Sequence, residues 1–304
     1  MEFLYMLERI RVPFLDTIML FVTQFGEETA FLLAALIIFW CADKNKGYFI
    51  LSVGFIGTLA NQFMKLWFRI PRPWVLDENF TILEQAREAA SGYSFPSGHT
   101  QSAVGTFGAI AYTTKNRWVR IAAVLIALLV PFSRMYVGVH TPADVGVAAL
   151  MAIVLIVALK PIIYGNGGKY IPALLAFMLL LAISFLCFVE FYSFPEDIDT
   201  SNLASGYKNA YTLLGALAGL VAVYIADKKW INFSTSAIWW AQILKVVLGV
   251  ALVLAIKSGL KGLLNQMLGE SIGRAFRYFL MVVMAGIVWP LSFQWFSKLG
   301  CKEK

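Results

Sequence analysis

Long apolar runs dominate the chain, and each approaches the ~20 residues that a helix needs to cross a bilayer. They lie near 28–42, 47–68, 98–115, 117–133, 143–164, 171–190, 209–226, 238–257 and 275–297, which makes about nine spans. Within hydrocarbon a run of that length satisfies its backbone polar groups only as a helix. The pattern therefore predicts an all-α, polytopic membrane helix bundle. Composition agrees, with 60% hydrophobic and 14% charged residues, where soluble domains carry about 25% charged. Residues 1–27 mix apolar and charged positions at helical spacing and predict an N-terminal amphipathic interfacial helix. They lack the basic start, short apolar run and small-residue cleavage site of a signal peptide.

The net charge of +7 does not mark a nucleic-acid binder, because its lysines and arginines sit in short loops between spans. Lys44, Lys46, Lys115, Arg117, Arg120, Lys160, Lys169, Lys228, Lys229, Lys298, Lys302 and Lys304 gather on one side, against Asp43, Asp227 and Glu303. The positive-inside rule makes that side cytoplasmic. Lys245 falls inside a span, near enough to its cytoplasmic end to snorkel to water. Cys41, Cys187 and Cys301 are scattered and suggest neither a disulfide framework nor a metal site.

Three clusters in the opposite loops carry chemistry. Lys65 to Pro73 closes the second span and places Lys65 and Arg72 at its end. Alone, that cluster reads as well as an interfacial anchor. Phe95-Pro96-Ser97-Gly98-His99-Thr100 opens the third span. A Pro-Ser-Gly start aims Ser97 and the Gly98 N–H outward as an anion site, with His99 on the first turn. Ser133-Arg134 is followed by His140-Thr141-Pro142-Ala143-Asp144. Thr141 suits an N-cap and Pro142 the first helical position. His140 then lies just outside a helix, with Asp144 one turn in and able to fix its tautomer. Arg134 offers a planar fork of donors for a phosphate or a carboxylate. The chain has 2 histidines, and both fall in these clusters.

Lys65-x6-Arg72-Pro73, Pro96-Ser97-Gly98-His99 and Ser133-Arg134-x5-His140-x3-Asp144 resemble the three-part signature of the phosphatidic acid phosphatase type 2 superfamily. This superfamily includes lipid phosphate phosphatases, undecaprenyl pyrophosphate phosphatases and glucose-6-phosphatase, with vanadium haloperoxidases among its soluble relatives. The likeness spans roughly residues 20–165. It implies a catalytic core at 28–165 with five spans, followed by a four-span extension at 166–304. It also implies roles. His140 attacks phosphorus and becomes a phosphohistidine, Asp144 orients it, and His99 protonates the departing oxygen. Lys65, Arg72, Arg134, Ser97 and Gly98 hold the phosphoryl oxygens. No cluster of carboxylates or cysteines forms a metal cage, so the expected chemistry needs neither metal nor cofactor.

The expectation is an integral protein of a bacterial plasma membrane that hydrolyses a lipid phosphate or diphosphate on the extracytoplasmic face. Its partners are then the lipid substrate and membrane lipids, with no nucleic acid. Two alternatives stay open. One is a phosphatase for a small soluble phosphate ester, like glucose-6-phosphatase. The other is an anion transporter with a basic vestibule, which would need charge but no nucleophile with an orienting acid.

Overall fold

The computed structural model describes residues 1–87 and 90–299, and these are helical throughout their ordered elements, without a β-strand. Cys301, Lys302, Glu303 and Lys304 lie outside the described residues. In order the helices are α1 (Glu2–Arg9), α2 (Pro13–Thr23), α3 (Glu28–Cys41), α4 (Lys44–Phe68), α5 (Pro73–Leu76), α6 (Gly98–Thr113) and α7 (Arg117–Tyr136). There follow α8 (Pro142–Tyr164), α9 (Ile171–Phe191), α10 (Thr200–Ala226), α11 (Trp239–Gly259), α12 (Lys261–Leu268), α13 (Glu270–Val283) and α14 (Phe293–Lys298).

Seven described helical segments are long and apolar enough to cross a membrane, and Pro13–Gly26 with Glu28–Cys41 passes as a pair bent by 54°. Helix α6 has 16 residues and carries His99, Gln101 and several Gly, Ser and Thr residues, so it is not among them. Each apolar run of the sequence falls on one of these helices.

The N-terminal segment departs from the expected single helix. It breaks between Arg9 and Pro13, because Pro13 at the first position of α2 has no N–H to continue α1. Both pieces and the link between them are pinned to later residues. Tyr5 donates to Asp77 at 2.8 Å, Arg11 Nε to the Tyr136 carbonyl at 2.9 Å, and the Tyr136 hydroxyl to Asp16 at 2.8 Å.

The chain forms two compact units. The first comprises Met1–Ala34, Phe49–Pro161 and Ser193–Gly206. It holds all the signature residues. Helix direction places them at one end: the C-terminal ends of α4 and α7 meet the N-terminal ends of α6 and α8. Lys115, Arg117, Arg120 and Lys160 sit at the opposite ends of those helices.

The second unit comprises Ala35–Tyr48, Ile162–Tyr192 and the chain from Tyr207 onward. Lys44 pairs with the buried Asp227 at 2.8 Å, and the Trp40 indole donates to the Ala285 carbonyl at 2.8 Å. Lys245 does not reach water as expected. It is fully buried, donating to the Thr235 carbonyl at 3.3 Å above the Phe293 ring. The non-helical stretch before α11 supplies that carbonyl, so the ammonium is met by protein instead of solvent.

Candidate active site

Helix α8 begins at Pro142, and its cap is reciprocal. Asp144 Oδ2 accepts from the Thr141 N–H at 2.7 Å, while Thr141 Oγ1 accepts from the Asp144 N–H at 3.3 Å. This is a capping box with an aspartate in the acidic position. It holds Asp144 rigidly beside His140, whose Nδ1 lies 3.5 Å from Oδ2. That separation exceeds a good hydrogen bond. Ser94 fills the corner, donating to Asp144 Oδ2 at 2.6 Å and lying 3.4 Å from His140 Nδ1. His140 and Asp144 are each 2% exposed.

The turn before His140 needs Gly138, whose φ of 88° lies in the left-handed region. It turns the Val139 carbonyl toward Arg72, which donates to it through Nη1 at 3.0 Å. The same Nη1 lies 2.9 Å from His140 Nε2. Arg72 also donates to the carbonyls of Gly92 and Ser91, at 3.0 and 2.8 Å. Lys65, buried at the end of α4, donates to the Tyr93 carbonyl. These two cations therefore hold the backbone of Ser91, Gly92 and Tyr93 beside the end of α4, and Ser94 N–H adds a bond to the Ile70 carbonyl at 2.9 Å.

Ser97 caps α6, with Oγ accepting from the Thr100 N–H at 3.4 Å. Its own N–H donates to the Asp144 carbonyl at 3.1 Å, tying the α6 start to the α8 start. Gly98 is the first helical residue, so its N–H has no carbonyl partner within the helix. His99 follows on the same turn, and its Nε2 is buried without a hydrogen-bond partner among the described residues.

Arg134 is different from the other cations. It is 0% exposed, donates from Nη1 to Thr23 Oγ1 at 2.6 Å, and leaves buried Nε and Nη2 without a partner among the described residues. An unpaired guanidinium edge in a dry site is expensive unless an anion completes it. Lys65, Arg72, Ser97, Gly98, His99, Arg134, His140 and Asp144 all lie at this one end of the first unit. His140 lies in the loop between α7 and α8, and its pKa is held well below the usual imidazole range. Burial is the main cause, followed by the positive charges of Arg72, Arg134 and Lys65. Among the described residues no group of three or more His, Cys, Asp or Glu is placed to hold a metal ion.

Three contributors were not singled out from the sequence. Ser94 immediately precedes the second cluster, and its position beside that motif was the available signal. Thr23 comes from the N-terminal segment with no local signal. Asn61 lies one turn before Lys65, buried, with both side-chain amide atoms unpartnered. Its Oδ1 would stand 4.0 Å from a side chain at Gly98.

One end of the first unit thus gathers a buried imidazole, an adjacent carboxylate and three buried cationic side chains in a bundle of membrane-length helices. A family model for the PAP2 superfamily matches residues 45–167, and one for the PAP2 superfamily phosphatase transmembrane extension matches 211–302. Undecaprenyl-diphosphatase BcrC of Bacillus subtilis is 33% identical over 143 residues, which cover 46% of this chain and 71% of that protein. Phosphatidylglycerophosphatase B of the same organism is 33% identical over 150 residues, covering 45% and 69%. An undecaprenyl-diphosphatase of Sulfolobus acidocaldarius is 28% identical over 136 residues, covering 44% and 64%. No solved structure matches the chain. The chain belongs to the PAP2 superfamily, and it is a membrane lipid phosphatase.

Proposed function

We propose that the chain hydrolyses a polyprenyl diphosphate or glycerolipid phosphate on the extracytoplasmic face, through a phosphohistidine on His140. The observation that carries this reading is the open Nε and Nη2 edge of the buried Arg134. It is a two-pronged donor set that a phosphoryl group completes. The matched relatives act on undecaprenyl diphosphate and on phosphatidylglycerophosphate, as their names state, which supports a lipid as the leaving group.

In this reading the phosphoryl group docks on Arg134, Lys65, Arg72, Ser97 and the Gly98 N–H. His140 Nε2 attacks phosphorus and the bond to the leaving oxygen breaks, with His99 supplying that oxygen's proton. Asp144 and Ser94 stabilise the positive charge that develops on the ring. Water, losing its proton to His99, then cleaves the phosphorus–nitrogen bond and releases phosphate. A diphosphate leaves a lipid monophosphate behind. The reaction needs no metal in this scheme, so activity should survive chelation and be blocked by vanadate. Loss on chelation with recovery only on adding magnesium would overturn that part.

The catalytic core is assigned to 28–165, with 1–27 as an interfacial element and 166–304 as an extension. The opposing basic ends, with Lys115, Arg117, Arg120 and Lys160, support an extracytoplasmic site. A cysteine at Asn79 should then be labelled in intact cells, and one at Asn116 only after permeabilisation. The reverse pattern would place the site in the cytoplasm.

Phosphate release from undecaprenyl diphosphate, phosphatidylglycerol phosphate, phosphatidate, sphingosine phosphate and glucose 6-phosphate tests the substrate class. Turnover of one or more lipids with glucose 6-phosphate spared is expected. Preference for the sugar phosphate would replace the lipid reading with the soluble one.

A further inference from the structure

The N-terminal segment reaches into the site from outside the residues that match the catalytic family model, which begin at 45. Thr23 is the last residue of α2, at the bend before α3. It is 6% exposed, and among the described residues its Oγ1 is the one atom that the Arg134 side chain bonds. A threonine hydroxyl in a helix commonly turns back to a carbonyl one turn earlier; here it accepts from Arg134 Nη1 at 2.6 Å.

The choice of nitrogen matters. A guanidinium presents five N–H donors in one plane. Nε and Nη2 share an edge, which is the side-on fork that matches two oxygens of a phosphoryl group. Thr23 occupies Nη1 and leaves that edge free, since Nε and Nη2 have no partner among the described residues. Three residues further on, Gly26 packs against the other side of the site. A side chain there would lie 2.9 Å from both Cβ and the carbonyl oxygen of His99, and 2.8 Å from Val130 Cγ1. One bend therefore backs both Arg134 on α7 and His99 on α6.

We infer that Thr23 is a positioning residue for phosphoryl transfer: by taking Nη1 of Arg134 it turns the open Nε–Nη2 edge toward the substrate's phosphoryl oxygens. The N-terminal segment is accordingly part of the active site as well as a contact with the membrane. This rests on the reading that Arg134 binds the phosphoryl group, so the test includes Arg134 itself.

The experiment is a double-mutant cycle on the full-length protein in nanodiscs, read as kcat/KM for a lipid phosphate and as vanadate inhibition. Thr23→Val keeps the shape and removes the acceptor. It should lower kcat/KM by ~10-fold or more and weaken vanadate inhibition in parallel, as loss of a hydrogen bond to a charged group does. Thr23→Ser should restore both to within about threefold, since it returns the hydroxyl. In an Arg134→Lys background, Thr23→Val should add less than about threefold, because the coupled group is already gone. Should Thr23→Val fail to accumulate, Thr23→Cys, similar in size and weak as an acceptor, carries the same comparison. Wild-type kinetics in Thr23→Val, or an equal proportional loss in both backgrounds, would overturn the inference. Full activity in Arg134→Lys alone would instead overturn the reading on which it rests.

Discussion

Arg72 Nη1 lies 2.9 Å from His140 Nε2, and that contact assigns the state of the imidazole. Arginine has donors and no acceptor, so Nε2 must present its lone pair and Nδ1 must carry the ring proton. The proton then faces Ser94 and Asp144, at 3.4 and 3.5 Å. In the proposed mechanism this Nε2 is the attacking nitrogen, and substrate oxygens would replace it as Arg72's partner. Bonds of this length in an unliganded site tighten when charge develops on the ring.

The first consequence is a titration. Burial and the cations around it lower the His140 pKa well below the usual value, which is about 6.5 for a free imidazole. A lowered value means the ring loses its proton at more acidic pH, so it stays neutral as pH falls through 6.5. With 2 histidines in the chain, nitrogen NMR of histidine-labelled protein, assigned with His99→Gln, reads this directly. His140 should remain the Nδ1–H tautomer through that window. A midpoint at or above the free value would contradict it.

Arg134→Lys should not be a conservative change. Lysine keeps the charge and loses the two-pronged edge, so kcat/KM for a lipid phosphate should fall by ~10–100-fold, the worth of one to two charge-assisted bonds. Steady-state phosphate release measures it, and activity near wild type would make Arg134 a packing residue.

Ser94→Ala removes a hydroxyl that bonds Asp144 and touches His140. The expected loss is ~10-fold in kcat, with KM little changed because Ser94 faces the carboxylate and not the phosphoryl group. A rise in KM at constant kcat would move Ser94 into the binding set.

His99→Ala should hurt in proportion to the leaving group's need for a proton. General acid help is worth ~10²–10⁴-fold, and p-nitrophenolate needs little of it. A phosphoenzyme burst from p-nitrophenyl phosphate should survive in this variant while the lipid monophosphate burst collapses. Equal collapse on both would return His99 to the phosphate cradle.

What the sequence made legible here was local. His140 and Asp144 are one helical turn apart, and Ser97-Gly98-His99 begins a helix, so chain spacing alone brings these groups together. The apolar runs likewise mark their helices without reference to packing. The contacts made across the fold were hidden. Thr23 meets Arg134 across 111 positions and Ser94 meets Asp144 across 50; the first had no local signal, and the second had only its place beside the Pro96-Ser97-Gly98-His99 motif. The break at Pro13 had a signal, but helical periodicity on both sides of it masked the change of direction. The burial of Lys245 depended on where a later loop carbonyl would come to rest, which periodicity does not encode.

The central claim is that His140 carries the phosphoryl group between the two half-reactions. Rapid quenching of the wild-type enzyme with a phosphorus-32-labelled lipid phosphate, followed by peptide mapping, tests it most directly. The expected result is an acid-labile, alkali-stable label on His140 that forms before phosphate release and is absent from His140→Ala. Turnover with a measurable burst but no protein-bound phosphate, or with the label on another residue, would contradict it.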